Sequence, residues 1–248
     1  MAIYKFLLCA GWLISIHAFA ETKMDKNESI NGVTVQSGKH DSTRIYRGSI
    51  TKTLPYGLAS VKNSIVSFQD RCNNSLKDRR KYTDKNISCK YHNDNMVETI
   101  IVKDIKKTGW TKEPNETERY VLGRQIYNRG SFGHYELVTI FESKNSQNQK
   151  TITIVQRMMT NNETKKYANA LFEKDSAFDE TSGTFTLTEI SPNETTMSYN
   201  YNAETEHWIL NKEVSIPQVF ASISKSINDL VKTVDAESSV QTRDLASN

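Results

Sequence analysis

The chain has 248 residues, of which 37% are hydrophobic and 25% charged, with 10 Gly, 4 Pro and a formal net charge of +3. At roughly 100–200 residues per domain this is one domain, or two small ones, and it is long enough to bury a core. So little Gly and Pro excludes collagen, low-complexity linkers and wholesale disorder, and a mean hydropathy of −0.60 excludes a polytopic membrane protein.

The one strongly apolar stretch comes first. Met1–Ala20 carries Lys5, an apolar run from Phe6 to Ile16 and Ala18-Phe19-Ala20 before Glu21, the pattern of a secretory signal with an A-x-A cleavage site. A run of about eleven residues is short of the roughly 20 that span a bilayer. Export, to the periplasm in a bacterium and otherwise by secretion, is the expectation. It changes the reading of Cys72 and Cys89, because an oxidising compartment favours a disulfide between them. Closing that loop of about 15 residues would be worth roughly 3 kcal/mol. Two buried free thiols are the alternative. The six N-x-S/T sequons, at Asn27, Asn73, Asn86, Asn115, Asn162 and Asn193, decide nothing in so Asn-rich a chain.

Residues 21–31 read as a polar, flexible leader. Gly32–Val35 and Thr43–Ile50 are β-like, with Ser37-Gly38 as a turn between them. After Pro55, Leu58, Val61, Ile65 and Phe68 mark one apolar helix face. Arg71–Asn95 is a polar excursion. Its basic run, Lys77, Arg79, Arg80, Lys81, Lys85 and Lys90, is interspersed with Asp78 and Asp84, so it reads as a solvated face rather than a nucleic-acid site. Peripheral contact with anionic lipid head groups stays open.

From Met96 the period changes to two. Val97–Ile105, Arg119–Tyr127, His134–Glu142, Lys150–Thr160, Gly183–Ile190 and Thr195–Asn202 are expected strands, rich in Ile, Val, Thr, Tyr and Phe and separated by turn-like clusters. Met197, Tyr199 and Tyr201 alternate with Ser198, Asn200 and Asn202, as in a half-buried antiparallel strand. Thr164–Phe172 interrupts the series with a short helix. Ser215-Ile216-Pro217-Gln218 is a capping box that opens an amphipathic helix carrying Val219, Phe220, Ile223, Ile227, Leu230, Val231 and Val234. Residues 236–248 lack periodicity and read as a disordered tail.

This order of elements resembles the START and Bet v 1-like (SRPBCC) superfamily. The text that carries the resemblance is Gly32-Val33-Thr34-Val35 followed by Arg44-Ile45-Tyr46-Arg47-Gly48, the helix from Pro55 to Phe68, and Pro217-Gln218-Val219-Phe220 opening the last helix. The chain departs from the family in its very polar Arg71–Asn95 segment and in lacking a Pro-rich entrance loop. The resemblance implies an α+β helix-grip fold over residues 32–235, a curved antiparallel sheet wrapped around the C-terminal helix. It further implies an apolar or amphipathic, lipid-like ligand in an internal cavity, with no catalysis. An enzyme of cyclase or hydrolase type on the same fold, and an envelope interaction protein without a cavity, are the rivals.

Catalytic motifs are absent from the text. The histidines lie in no metal-ligand spacing, and Gly130-Ser131-Phe132-Gly133 lacks the G-x-S-x-G order of a nucleophile elbow. No cofactor, no metal, no nucleic acid and no obligate protein partner is called for. Two sets could line a cavity. The first, from Arg119 to Tyr135, includes Arg124, Tyr127 and Tyr135; the second comprises Arg157, Tyr199, Tyr201, His207 and Trp208. Arginine pairs with acidic head groups and tyrosine offers apolar surface with a polar handle. From these sets, Arg124, Tyr127, Tyr135, Arg157, Tyr199 and Tyr201 are the candidate ligand contacts. Against this stands a reading in which the arginines face outward while the tyrosine rings pack the core, with Trp208 as a core anchor. A one-residue shift swaps the faces, so the inward side stays open.

Overall fold

The computed structural model describes residues 23–67, 97–104, 111–127, 131–167 and 178–246, with backbone alone at 97–104, 122–134, 165–167 and 243–246. The signal-like segment, Cys72, Cys89 and the basic run lie outside the described residues.

Nine strands form one antiparallel sheet in the order β1-β2-β3-β9-β8-β7-β6-β5-β4. They are β1 (Met24–Ile30), β2 (Val33–His40), β3 (Thr43–Leu54), β4 (Val97–Asp104), β5 (Glu116–Tyr127), β6 (Ser131–Lys144), β7 (Lys150–Met158), β8 (Glu180–Ser191) and β9 (Glu194–Thr205). The helices among the described residues are α1 (Leu58–Val66), α2 (Asn161–Tyr167) and the 31-residue α3 (Ile216–Ala246), which a 3-10 turn at Glu213–Ser215 precedes. Every predicted strand is present, most of them extended by a few residues. The chain runs out along the sheet from β1 to β3, then crosses to β4 at the far edge and returns strand by strand. That return brings β9 against β3.

Cross-strand partners share a face, and the registers sort the two sides. Tyr46, Gly48 and Ile50 stand opposite Ala203, Tyr201 and Tyr199. Tyr201, Tyr199 and Met197 stand opposite Gly183, Phe185 and Leu187. This inner face is the apolar one. α3 lays Ile216, Val219, Phe220, Ile223, Ile227, Val231 and Val234 into it, all buried, and packs on β1, β2, β3 and α1 while α1 packs on β8 and β9. Each such side chain removed from water contributes about 1.5–3 kcal/mol.

Three expectations are corrected. The supposed leader contains β1, because Asn31 and Gly32, with φ of 52° and 81°, make the two-residue turn that folds it back on β2. Its polar text, Met-Asp-Lys-Asn-Glu-Ser-Ile, suits a solvated sheet edge. The turn between β2 and β3 lies at Asp41-Ser42, and Ser37-Gly38 sits within β2. The supposed tail continues α3: Ser238 and Thr242 follow Val234 at i+4 and i+8, and they meet Ser60 and Ser64 of α1. Ser64 Oγ and Ser238 Oγ are 2.8 Å apart, with both residues buried.

Trp208 is also corrected: it is 66% exposed rather than a core anchor. Its ring stacks on His207, and the Lys212 ammonium lies 4.6 Å from its centroid. The residues that fix this connection to the core are its neighbours. Tyr46 donates its hydroxyl to the Leu210 carbonyl at 2.6 Å, and Arg44 donates from Nε to the Asn211 carbonyl at 3.1 Å. Ser215, expected to cap α3, donates its hydroxyl to the Ile209 carbonyl at 2.8 Å.

Candidate functional site

The inner face divides into two regions. At β3 the helix sits directly on the backbone: a Cβ on Gly48 would lie 2.6 Å from Ile227 Cδ1 and 2.7 Å from Ile223 Cγ2. Nothing can lie between α3 and the sheet there. Further across, Tyr201 has a glycine on each side, Gly48 and Gly183. The space that Gly183 leaves is taken by the Tyr199 ring, whose hydroxyl would be 2.5 Å from a Cβ. That ring lies 4.4 Å from Phe185 at an interplanar angle of 34°.

Register extends this surface to β7 and β6. Gln156 stands opposite Gly183 and Val138, and Glu136 opposite Met158. The inward set at this end therefore holds two phenols, an amide and a carboxyl among Met158, Phe185 and Val138. Tyr201 and Gln156 are only half-buried, whereas Val138, Ile140, Ile154 and Leu187 deeper in are fully enclosed. The opposite end is closed by charge. Lys62 of α1 donates to Glu118 at 2.7 Å and Glu142 at 3.2 Å, and Tyr120 donates to Glu118. Burial lowers the Lys62 pKa, but the hydrogen bonds and charges of both carboxylates outweigh it, and the net direction is upward. These bonds tie α1 to β5 and β6.

The six candidate contacts thus separate. Tyr199 and Tyr201 are on the inner face. Arg157 stands opposite Leu137 and Ser182, on the outer face, and Tyr135 shares that face two residues along β6 from Leu137. Arg124 and Tyr127 lie in β5 opposite His134 and Ser131; their side chains are outside the described residues. Glu136 and Gln156 are the inward polar groups that composition did not single out. Their signal was the parity shared with Val138 and Ile154, readable only once one strand's register is known.

Arg157 has a structural partner. Its guanidinium makes a two-pronged pair with Glu163 of α2, at 2.8 and 2.6 Å, and Glu163 also accepts from the Thr160 backbone N–H at 2.9 Å. The Arg157 hydrogen bonds bring the Glu163 carboxyl down from 4.5 to about 2. A depressed folded-state value contributes stability above the unfolded pKa, and that stability is lost as the pH falls through the folded one. Arg157 is 38% exposed, so screening limits the pair to about 1 kcal/mol. Urea titrations should show Glu163→Gln less stable than wild type by about that much at pH 7. The gap should close progressively between 4.5 and about 2, and a gap independent of pH would contradict this assignment.

Among the described residues, no group of three His, Cys, Asp or Glu is placed to hold a metal ion, and no helix is long and apolar enough to cross a membrane. No protein-family model and no curated protein matches the sequence. Solved structures do match the fold. Human STARD10 shares 10% identity over 93% of this chain and 80% of its own, with a TM-score of 0.50. Human StAR-related lipid transfer protein 5 shares 12% over 89% and 88%, at 0.46. A STAR-related lipid transfer protein fragment from Xanthomonas axonopodis shares 9% over 84% and 97%, at 0.43. The nine-stranded antiparallel sheet gripping a long C-terminal helix is the START-type helix-grip fold.

Proposed function

We propose that this chain is an exported START-like domain that binds an apolar or amphipathic, lipid-like molecule on the inner face of its sheet, without catalysis. The observation that carries the reading is the uneven inner face. α3 is seated tightly at Gly48, while Tyr201 and Gln156 remain half-buried at the end where Tyr199 and Glu136 also point inward. An apolar wall with a few polar groups at one end suits a ligand with an apolar body and a polar head. The export half of the proposal rests on Met1–Ala20, and with it goes the Cys72–Cys89 disulfide.

The test uses the full chain made with its own N-terminus. Mass spectrometry should find a product beginning at Glu21, lighter by two hydrogens than the dithiol form, with an amphipathic molecule extracted from it. A fluorescent fatty acid should bind and be displaced by that extract. Tyr201→Trp, which crowds the space between the two glycines, should weaken probe binding at least tenfold, and outward Arg157→Gln should leave it unchanged. Binding that is absent, or equally sensitive to both substitutions, would overturn the ligand reading.

A further inference from the structure

The outer face of the same sheet carries a second kind of surface. Its rows read Gln36, Arg47, Asn202 and Ser182 across four neighbouring strands, then Ser49, Asn200 and Thr184 beside them. These seven residues, with Gly48 and Tyr201, line an open depression of about 240 Å³. That is below the roughly 300–1,000 Å³ of sites for drug-sized ligands. Further along the same face the hydroxyls satisfy one another: Thr51 and Ser198 lie 2.9 Å apart, Thr53 and Thr196 3.4 Å. Among the described residues, those in the depression do not. Arg44, Arg119 and Arg157 all have side-chain hydrogen bonds, to Ser37, Glu116 and Glu163. Arg47 has none among the described residues, and neither have Gln36, Asn200 and Asn202.

The geometry points to a binding site for a small, singly charged sugar acid, on the side of the sheet away from the proposed lipid. Arg47 is the only charged residue lining the depression among the described residues, and its guanidinium presents a planar fork that matches a carboxylate. Asparagine and glutamine amides both donate and accept, as do the serine and threonine hydroxyls, which is the pairing that vicinal alcohols require. The inward tyrosines and α3 are on the other side, so the depression offers no apolar wall for a lipid. The next row along the face places Glu204 opposite Glu180. Their charges bar a polyanion and restrict the ligand to one acid group at Arg47. Because the site stands on the outer face, it does not depend on what the inner face binds.

Amide NMR of the isotopically labelled full chain provides the test, titrated separately with glucuronate, glucose, acetate and a short uronate oligomer. Glucuronate should give saturable shifts at Arg47, Asn200 and Asn202, at least tenfold tighter than glucose or acetate. Arg47→Gln should weaken it at least tenfold, with circular dichroism unchanged because the side chain is exposed. Asn200→Leu should weaken glucuronate while leaving acetate as it was. The uronate oligomer should bind more weakly than glucuronate, because Glu204 and Glu180 repel its further carboxylates, and an oligomer that binds more tightly would overturn the restriction to one acid group. No saturable glucuronate binding, acetate binding as tight as glucuronate, or an Arg47→Gln variant that binds normally would each overturn the site.

Discussion

Arg119→Met should cost about 3–5 kcal/mol in urea unfolding at pH 7, one of the largest effects of any single substitution in this molecule. Residues i and i+3 of a regular strand point to opposite faces. Glu116 and Arg119 point to the same one because the register of β5 shifts between Glu116 and Glu118. The result is a nearly enclosed ion pair: Arg119 is 2% exposed and Glu116 only 6%. Glu116 also accepts the Glu113 backbone N–H at 2.8 Å, which fastens the turn that leads into β5. Methionine replaces the bulk of arginine but leaves Glu116 a buried carboxylate without its cation. The cost therefore comes from the abandoned charge more than from the lost attraction. Arg119→Met with Glu116→Leu should recover most of the stability, since both charges then go together. A single variant within 1 kcal/mol of wild type would show that water reaches Glu116, contrary to this burial. Ligand binding on the inner face should be unaffected, because both residues belong to the outer one.

The alternation of Met197, Tyr199 and Tyr201 with Ser198, Asn200 and Asn202 was enough to place β9 as a half-buried strand, since half-burial is written into period two, while the inward side stayed open. The α3 stripe from Val219 to Val234 was as plain. The resemblance carried by the order of the elements also matched the architecture. Legibility ended where hydrophobicity is not what holds an element. β1 has almost no apolar text; it pairs through its backbone and an Asn-Gly turn, a signal carried by two residues. The last turns of α3 meet α1 through serine and threonine hydroxyls, so an apolar-period reading stops at Val234 although the helix continues. Trp208 shows the converse: a large aromatic side chain suggests burial, yet its neighbours Leu210 and Asn211 supply the carbonyls that Tyr46 and Arg44 hold.

The candidate site was legible in part for a related reason. Residue type nominated Tyr199, Tyr201, Tyr135 and Arg157 alike. Only register assigns the first two inward and the last two outward, and register is a property of strand pairs. Shifts at Glu116/Glu118 and Ile101/Lys103 interrupt simple alternation in β4 and β5, so parity counted along the text fails across them. The outer face then turns out to hold two different things: a buried ion pair at β5, and an open polar depression at β3 and β9.

Gly48→Val should lower stability by about 3 kcal/mol, against what strand propensity predicts. Glycine inside a strand is unfavourable by roughly 0.5–1 kcal/mol relative to alanine, and β-branched residues are favoured there, so an unobstructed valine would stabilise β3. Here the new Cβ meets Ile223 Cγ2 at 2.7 Å and Ile227 Cδ1 at 2.6 Å. The Ile227 contact is with a chain end that can rotate away. Ile223 Cγ2 is attached at its own Cβ, where the one χ1 rotamer that a helix strongly favours for isoleucine holds it, so steric overlap outweighs propensity. The clash is local, which makes it separable. Ile223→Ala alone should cost about 2–5 kcal/mol as a cavity. Combined with Gly48→Val it should cost clearly less than the sum of the two, because each change makes room for the other. Fluorescent fatty-acid binding by Gly48→Val should also weaken, since α3 can yield only by lifting from β3, and that lift alters the spacing to Tyr201. A Gly48→Val variant as stable as wild type would mean that α3 is not held at this distance. The uneven inner face would then lose its cause.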